Sequence, residues 1–331
     1  MCPSPNHIHS IAIVGASGTI GSYITSSLLQ NTSFNLTALT RHSSTTAFPS
    51  TIKTACIDYS DPQTIVSVLH GHDALIITLA VSAPPSTQET LIRAAAQAGV
   101  KWILPNEFGM YNTEAAQADT VGDGKMRARQ MIEELGMSWI GLTCGFWYEH
   151  SLASPELFGI NITKREATLF DEGVQKLNVS MWEFVGKAVG KILSLPVSQE
   201  QGNDEEGCTD EVTLSHYKNT MVFVSSFAVS QRDMLESVQR VTGTTEEEWK
   251  ITKVDAKKRF EDAKEKVRNG DRSAFGRCLY TRYFYDDEGL FEKSHGLDNE
   301  RLGLGEEDLD EATRRAVDVA ESGYWERYGK R

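Results

Sequence analysis

Three glycines, Gly15, Gly18 and Gly21, fall within the run Gly15-Ala16-Ser17-Gly18-Thr19-Ile20-Gly21. The run follows the apolar stretch Ile11-Ala12-Ile13-Val14 and opens a helical pattern reaching Leu29. A strand, a glycine loop and a helix in that order make a phosphate cradle. Gly15 turns without a Cβ penalty. Gly18 admits a pyrophosphate close to the backbone, and Gly21 lets the helix pack closely on the strand. Free amides and the positive dipole end then face the phosphates. The spacing is G-x-x-G-x-x-G rather than the G-x-G-x-x-G of many dehydrogenases, and the strand–loop–helix context makes it a dinucleotide loop. About 20 residues on, where NAD-binding domains place a carboxylate for the ribose hydroxyls, the sequence reads Thr40-Arg41-His42. A guanidinium there pairs with a 2′-phosphate that a carboxylate would repel, so NADPH/NADP is the expected cofactor. Lys125 and Arg129 stand four apart on a predicted helix and share one face. A basic pair on a helix is commonly just solvated. A lysine beside a cationic nicotinamide and under apolar cover would instead lose pKa and exchange protons near neutrality.

The elements that must position these groups read as a β-α alternation. Strands are predicted at 11–14, 35–39, 53–57, 74–79, 101–104 and 139–143, and helices at 18–29, 62–69, 88–98 and 124–135. The strands are continuous apolar runs, the pattern of a parallel sheet buried on both faces. The fold class is α/β, a Rossmann-type doubly wound parallel sheet. The cofactor domain spans residues 8–150. After His150 the pattern becomes irregular, and 151–331 is mainly a smaller α+β substrate-binding region. Within it, 215–245 returns to the first domain through a strand at 221–224. Ser180 with Glu183, and Ser230 with Asp233, read as helix-capping pairs, and 255–268 as a charged, solvated helix.

Composition narrows the function classes. The chain has 331 residues, a net charge of −13 and 40% hydrophobic residues. An acidic surface disfavours nucleic acid and anionic membranes, and no stretch approaches the ~18 apolar residues of a membrane span. Cys2, Cys56, Cys144, Cys208 and Cys278 are scattered and odd in number, which argues against a disulfide framework or a zinc site. With no secretory signal evident, a cytoplasmic protein is expected, monomeric or homodimeric, with a small molecule as its partner. There is no HExxH, no GxSxG, no Walker loop and no tyrosine followed four residues later by lysine. No metal site is expected. His70 and His72 are read as surface residues, and His150 as a minor pocket candidate.

Several segments carry a resemblance. The glycine loop, Arg41, Leu104-Pro-Asn-Glu-Phe-Gly109 and Lys125-Met-Arg-Ala-Arg129-Gln-Met-Ile-Glu-Glu134 resemble the NmrA-like and isoflavone-reductase-like branch of the atypical short-chain dehydrogenases. Residues 145–149, 170–173 and 224–232 are similar to fungal members. The resemblance implies that Lys125 is the catalytic proton donor or acceptor. It implies cofactor contacts at Gly15, Ala16, Ser17, Gly18, Thr19, Ile20, Gly21, Arg41, Leu79 and Arg129. Phe146, Trp147 and Tyr148, following the sixth strand at the carboxyl edge of the sheet, are the expected substrate wall. The chain departs from the family in two places. Ser50 stands where a second basic residue is common, with only Lys53 near, and Cys144-Gly145-Phe146 replaces N-C-F.

The leading reading is an NADPH-dependent reductase of an aromatic or conjugated small molecule, in secondary metabolism. Two alternatives stay open: an NADP-sensing regulator of NmrA type without turnover, and a cofactor-dependent isomerase or cyclase. Lys125 favours an enzyme.

Overall fold

A computed structural model describes residues 6–80, 83–199, 212–285 and 287–325. Cys2, Cys208 and most of the acidic stretch after Ser198 lie outside the described residues. The elements in chain order are β1 (Ser10–Val14), α1 (Thr19–Leu29), β2 (Asn35–Arg41), β3 (Lys53–Ile57), α2 (Pro62–Leu69), β4 (Ala74–Ile77), α3 (Pro85–Ala98), β5 (Trp102–Leu104), α4 (Glu114–Asp119), α5 (Gly124–Glu134) and β6 (Ser138–Thr143). They continue with β7 (Phe146–Trp147), α6 (Tyr148–Leu152), β8 (Ile160–Asn161), β9 (Glu166–Phe170), β10 (Leu177–Ser180), α7 (Trp182–Leu193), β11 (Thr220–Phe223), β12 (Phe227–Val229), α8 (Gln231–Thr242), β13 (Lys250–Val254), α9 (Ala256–Arg268), α10 (Phe275–Arg282), α11 (Glu292–His295) and α12 (Leu309–Glu321).

Seven strands form one sheet in the order β11-β6-β5-β4-β1-β2-β3, every pair parallel. The crossovers follow from the continuous apolar strands, which can be satisfied only by helices on both faces. Along β1 the faces alternate. Ile11 and Ile13 pack with α1 and α7, while Ala12 and Val14 pack with α2, α3 and α5. The expected strand near 221–224 is β11, and it extends the sheet beside β6. No described helix is long and apolar enough to cross a membrane.

The rest of the chain builds two small three-stranded sheets, β12-β10-β7 and β13-β9-β8, around the carboxyl end of the large one. One expected helix cap is replaced by another. The Ser180–Glu183 pair is not a capping box. Met181 is the N-cap and no side chain of its own closes the helix; Ser180 Oγ accepts from Ser226 N–H, and Glu183 faces Arg315 and Lys187. The buried Glu149 carboxylate caps α7 instead, accepting the Trp182 N–H at 3.1–3.2 Å. The charged helix α9 does present a solvated face, with Ala256, Phe260 and Ala263 buried on its other side. Ser230 and Asp233 do form a reciprocal capping box.

Candidate active site

The glycine loop sits at the carboxyl edge of the sheet, between β1 and α1. Gly15 has φ +80°, and a Cβ there would lie 1.9 Å from the Thr78 carbonyl oxygen. A Cβ on Gly21 would lie 2.0 Å from the Gly15 carbonyl oxygen. These two glycines let helix, turn and the end of β4 meet backbone to backbone. Gly18 is different: its N–H donates to Gly15 O at 2.8 Å, and a Cβ there would meet only that oxygen, at 3.1 Å. Gly18 is also the N-cap of α1, and no side chain caps the helix. The first-turn amides of α1 therefore lack a side-chain acceptor and suit a phosphate.

Arg41 is the exposed last residue of β2, at the same edge. The loop after it touches the glycine loop through Thr46 and Ser17 (Oγ1 to Oγ, 3.5 Å). Tyr59, after β3, lies close enough to feel the guanidinium: burial raises its phenol pKa and Arg41 lowers it. Lys53 cannot supply the second basic group. It pairs with Thr37 in the sheet register, while Arg41 pairs with Ile57. Four residues of strand, about 13 Å, separate Lys53 from the edge where Arg41 stands.

The Leu104–Gly109 segment follows β5 and works as a bracket. Asn106 clamps Leu79, accepting its N–H at 3.2 Å and donating to its carbonyl at 3.1 Å. Glu107 is almost fully buried and receives Arg129 in a two-pronged pair, Nε to Oε1 at 2.7 Å and Nη2 to Oε2 at 2.5 Å. The guanidinium also lies 5.1 Å from the Trp139 ring centroid. Arg129 was expected at the cofactor. It gives Nε and Nη2 to Glu107 and is not among the residues lining the cleft described below. The residues that form this bracket, Asn106 and Glu107, were visible in the sequence only as part of a motif, without roles.

Lys125, in the first turn of α5, does line that cleft. The cleft has a volume of about 830 Å³ and runs from Ile20 and Leu79, past Asn106 and Lys125, to Phe146 and Trp147. Desolvation lowers the Lys125 pKa, Glu107 opposes that, and Arg129 adds to the lowering. One buried ion pair thus acts on the ammonium in both directions. Cys144 lies behind it, fully buried, and burial pushes its thiol up to about 12. It is a neutral packing group at ordinary pH.

Of the expected aromatic wall, Phe146 and Trp147 line the cleft and Tyr148 does not. Strand β7 ends at Trp147 and α6 begins, which turns Tyr148 into the core. There it is fully buried, with its hydroxyl 2.8 Å from Thr313 Oγ1 of α12. Residues far along the chain take its place. Tyr280 stacks on Phe146 with ring centroids 3.8 Å apart, and Trp325 closes one side. His150 also lines the cleft. Its Nδ1 is 3.0 Å from the Tyr324 hydroxyl, and burial lowers its pKa to about 4, so the ring is neutral. His72 is half-buried rather than on the surface, with Nε2 2.9 Å from Thr37 Oγ1.

Comparisons place this geometry among known proteins. The model of the NmrA-like family matches residues 8–216. Oxidoreductase aprR of Aspergillus flavus is 29% identical over 267 residues, 78% of this chain and 82% of that protein. Oxidoreductase poxI of Penicillium oxalicum is 24% identical over 314 residues, 92% of each. Among solved structures, an isoflavone reductase superposes with a TM-score of 0.70 at 19% identity, covering 92% of this chain and 98% of that one. The leucoanthocyanidin reductase–NADPH complex from Vitis vinifera gives 0.65 at 16% identity, covering 93% and 99%.

Proposed function

This chain belongs to the NmrA-like family, and from that premise we propose that it is an NADPH-dependent reductase of an aromatic or conjugated small molecule. The observation that carries the reading is the single cleft joining the glycine-loop edge at Ile20 and Leu79 to Lys125 and the aromatic wall. The residues fit the cofactor. Gly15 and Gly21 form a backbone cradle that any Cβ would fill, Gly18 leaves α1 uncapped, and Arg41 stands ready for a 2′-phosphate. When bound, the dihydronicotinamide supplies hydride to an electrophilic carbon. The chain's own groups do the rest. Asn106 fixes Leu79 against the cofactor, Phe146 and Trp147 orient a flat substrate, and the apolar walls exclude water. Lys125 holds or delivers the accompanying proton at Nζ, its charge set by desolvation first and then by Glu107 and Arg129. The aprR and poxI proteins, both named oxidoreductases, support a redox reading, and their fungal sources are consistent with secondary metabolism.

The test has two parts. NADPH should bind more tightly than NADH, read by fluorescence of the dihydronicotinamide. With an accepted substrate, Lys125→Ala should lower kcat about 10²- to 10⁴-fold, the range for a lost proton donor, with NADPH affinity and thermal stability retained. Equal affinity for the two cofactors or normal turnover by the variant would refute the reading.

A further inference from the structure

The walls of the cleft reverse the sign of the protein. The chain carries −13, yet the cleft is lined by Lys125, Arg127, Arg272 and Arg277 against only Glu89 and Glu156. Two of the four cations are answered locally. Arg127 pairs with Asp123 at 3.3 Å on the surface, and Lys125 lies in the field of Glu107. The other two come from one short segment at the start of α10. Arg272 is exposed and has no ion pair among the described residues. The neighbouring Asp271 carboxylate is turned to the backbone and hydroxyl of Ser273. Arg277 donates Nη2–H to Glu156 Oε2 at 2.7 Å, while its Nε is buried without an acceptor. A second guanidinium, Arg259, is packed beside it and donates to the Arg277 carbonyl. Burial, and then Arg277, lower the Arg259 pKa to about 10. The two guanidinium groups meet at Glu156, Arg277 on its exposed carboxylate and Arg259 on its backbone carbonyl at 3.0 Å. The Arg277 side chain is nevertheless 36% exposed, so a carboxylate in the cleft can approach the guanidinium in a charge-assisted hydrogen bond.

Flat rings make a large part of the remaining wall: the Phe146–Tyr280 stack, Trp147, Phe275 and Trp325. We propose that the substrate is a planar conjugated carboxylic acid, its ring system against the aromatic wall and its carboxylate held by Arg272 and Arg277. The proposal rests on the reductase reading and names the substrate class of that same cleft. A guanidinium fork matches a carboxylate in two parallel hydrogen bonds. Binding the acid at that end leaves the conjugated body between the aromatic rings and Lys125.

The test uses trans-cinnamate and its methyl ester as probes, titrated into the full chain loaded with NADP⁺. Tryptophan fluorescence reports binding, since Trp147 and Trp325 line the cleft. The acid should bind about tenfold or more tightly than the ester, as expected for charge-assisted hydrogen bonds. Arg277→Gln and Arg272→Gln should each lower that ratio without weakening the ester, and added salt should lower it in the wild type. Arg272 is exposed, so its variant keeps the test usable where loss of the Arg277–Glu156 pair disturbs folding. An ester that binds as well as the acid, absence of binding by both probes, or a ratio unchanged in Arg272→Gln overturns the proposal. NADPH affinity, measured on the same samples, separates this failure from the other. A protein that binds NADPH but does not prefer the acid loses only the substrate class; one that does not bind NADPH loses the reductase reading, and with it this proposal.

Discussion

On the glycine-loop side of the cleft, backbone meets backbone: Gly15, Gly21 and Thr78 approach so closely that side chains are excluded. On the opposite side, side chains meet side chains from positions more than a hundred residues apart, as Phe146 does with Tyr280 and His150 with Tyr324. The first side is centred on one short loop, closed by Thr78 at the end of β4, so most of its design is local. The second is made by aromatic packing and buried polar groups, so it depends on the whole fold. The glycine-loop side should therefore be brittle to any added atom. The aromatic side should be sensitive to charge and pH.

The contrast can be broken first at Arg129, which lies between the two sides. Arg129→Ala leaves Glu107 buried without its partner, which should cost about 3–5 kcal/mol of stability. Denaturant unfolding should show that loss, with NADPH affinity changed only slightly. The reverse pattern, normal stability with weak NADPH binding, would return Arg129 to the cofactor.

Next comes pH. Burial raises the Glu149 pKa to about 7, against which the Trp182 N–H and Arg315 act. A carboxyl raised in the folded state stabilises fully below its unfolded value near 4.5. That contribution is lost as pH rises through 7. Glu149→Gln keeps an acceptor for the Trp182 N–H and cannot ionise. Its stability relative to the wild type should thus rise by roughly 3 kcal/mol between pH 4.5 and 8, measured by unfolding at each pH. A constant difference would mean that Glu149 titrates normally and that the C-terminal side is less desolvated than its packing implies.

The smallest effect is expected at the exposed Arg41. Arg41→Asp should weaken NADPH by about 2 kcal/mol, through lost charged hydrogen bonds and new repulsion. NADH should be unaffected or improved, and folding unchanged. An equal loss for both cofactors would show that Arg41 does not read the 2′-phosphate.

Glycine positions, strand runs and the Lys125 motif were legible in the sequence because their causes are short-range. A loop that must turn between a strand and a helix needs glycine within a few residues, and a strand buried on both faces must be apolar throughout. The doubly wound sheet and the position of the glycine loop follow from those facts. Tyr148 shows where such reading stops. It is adjacent to Phe146 and Trp147 in sequence, but the start of α6 turns it into the core beside Thr313. Arg129 shows the same limit, since only folding brings Glu107 within reach of its guanidinium. The capping pair at Ser180 and Glu183 has the right spacing, yet Glu149 reaches the helix end from another element. By itself, the sequence determined the sheet, the cradle and the lysine beside it. Tertiary structure alone decided which aromatic rings face the cleft, which arginines remain for a ligand and which carboxylates are buried, because burial and pairing depend on partners distant in the chain.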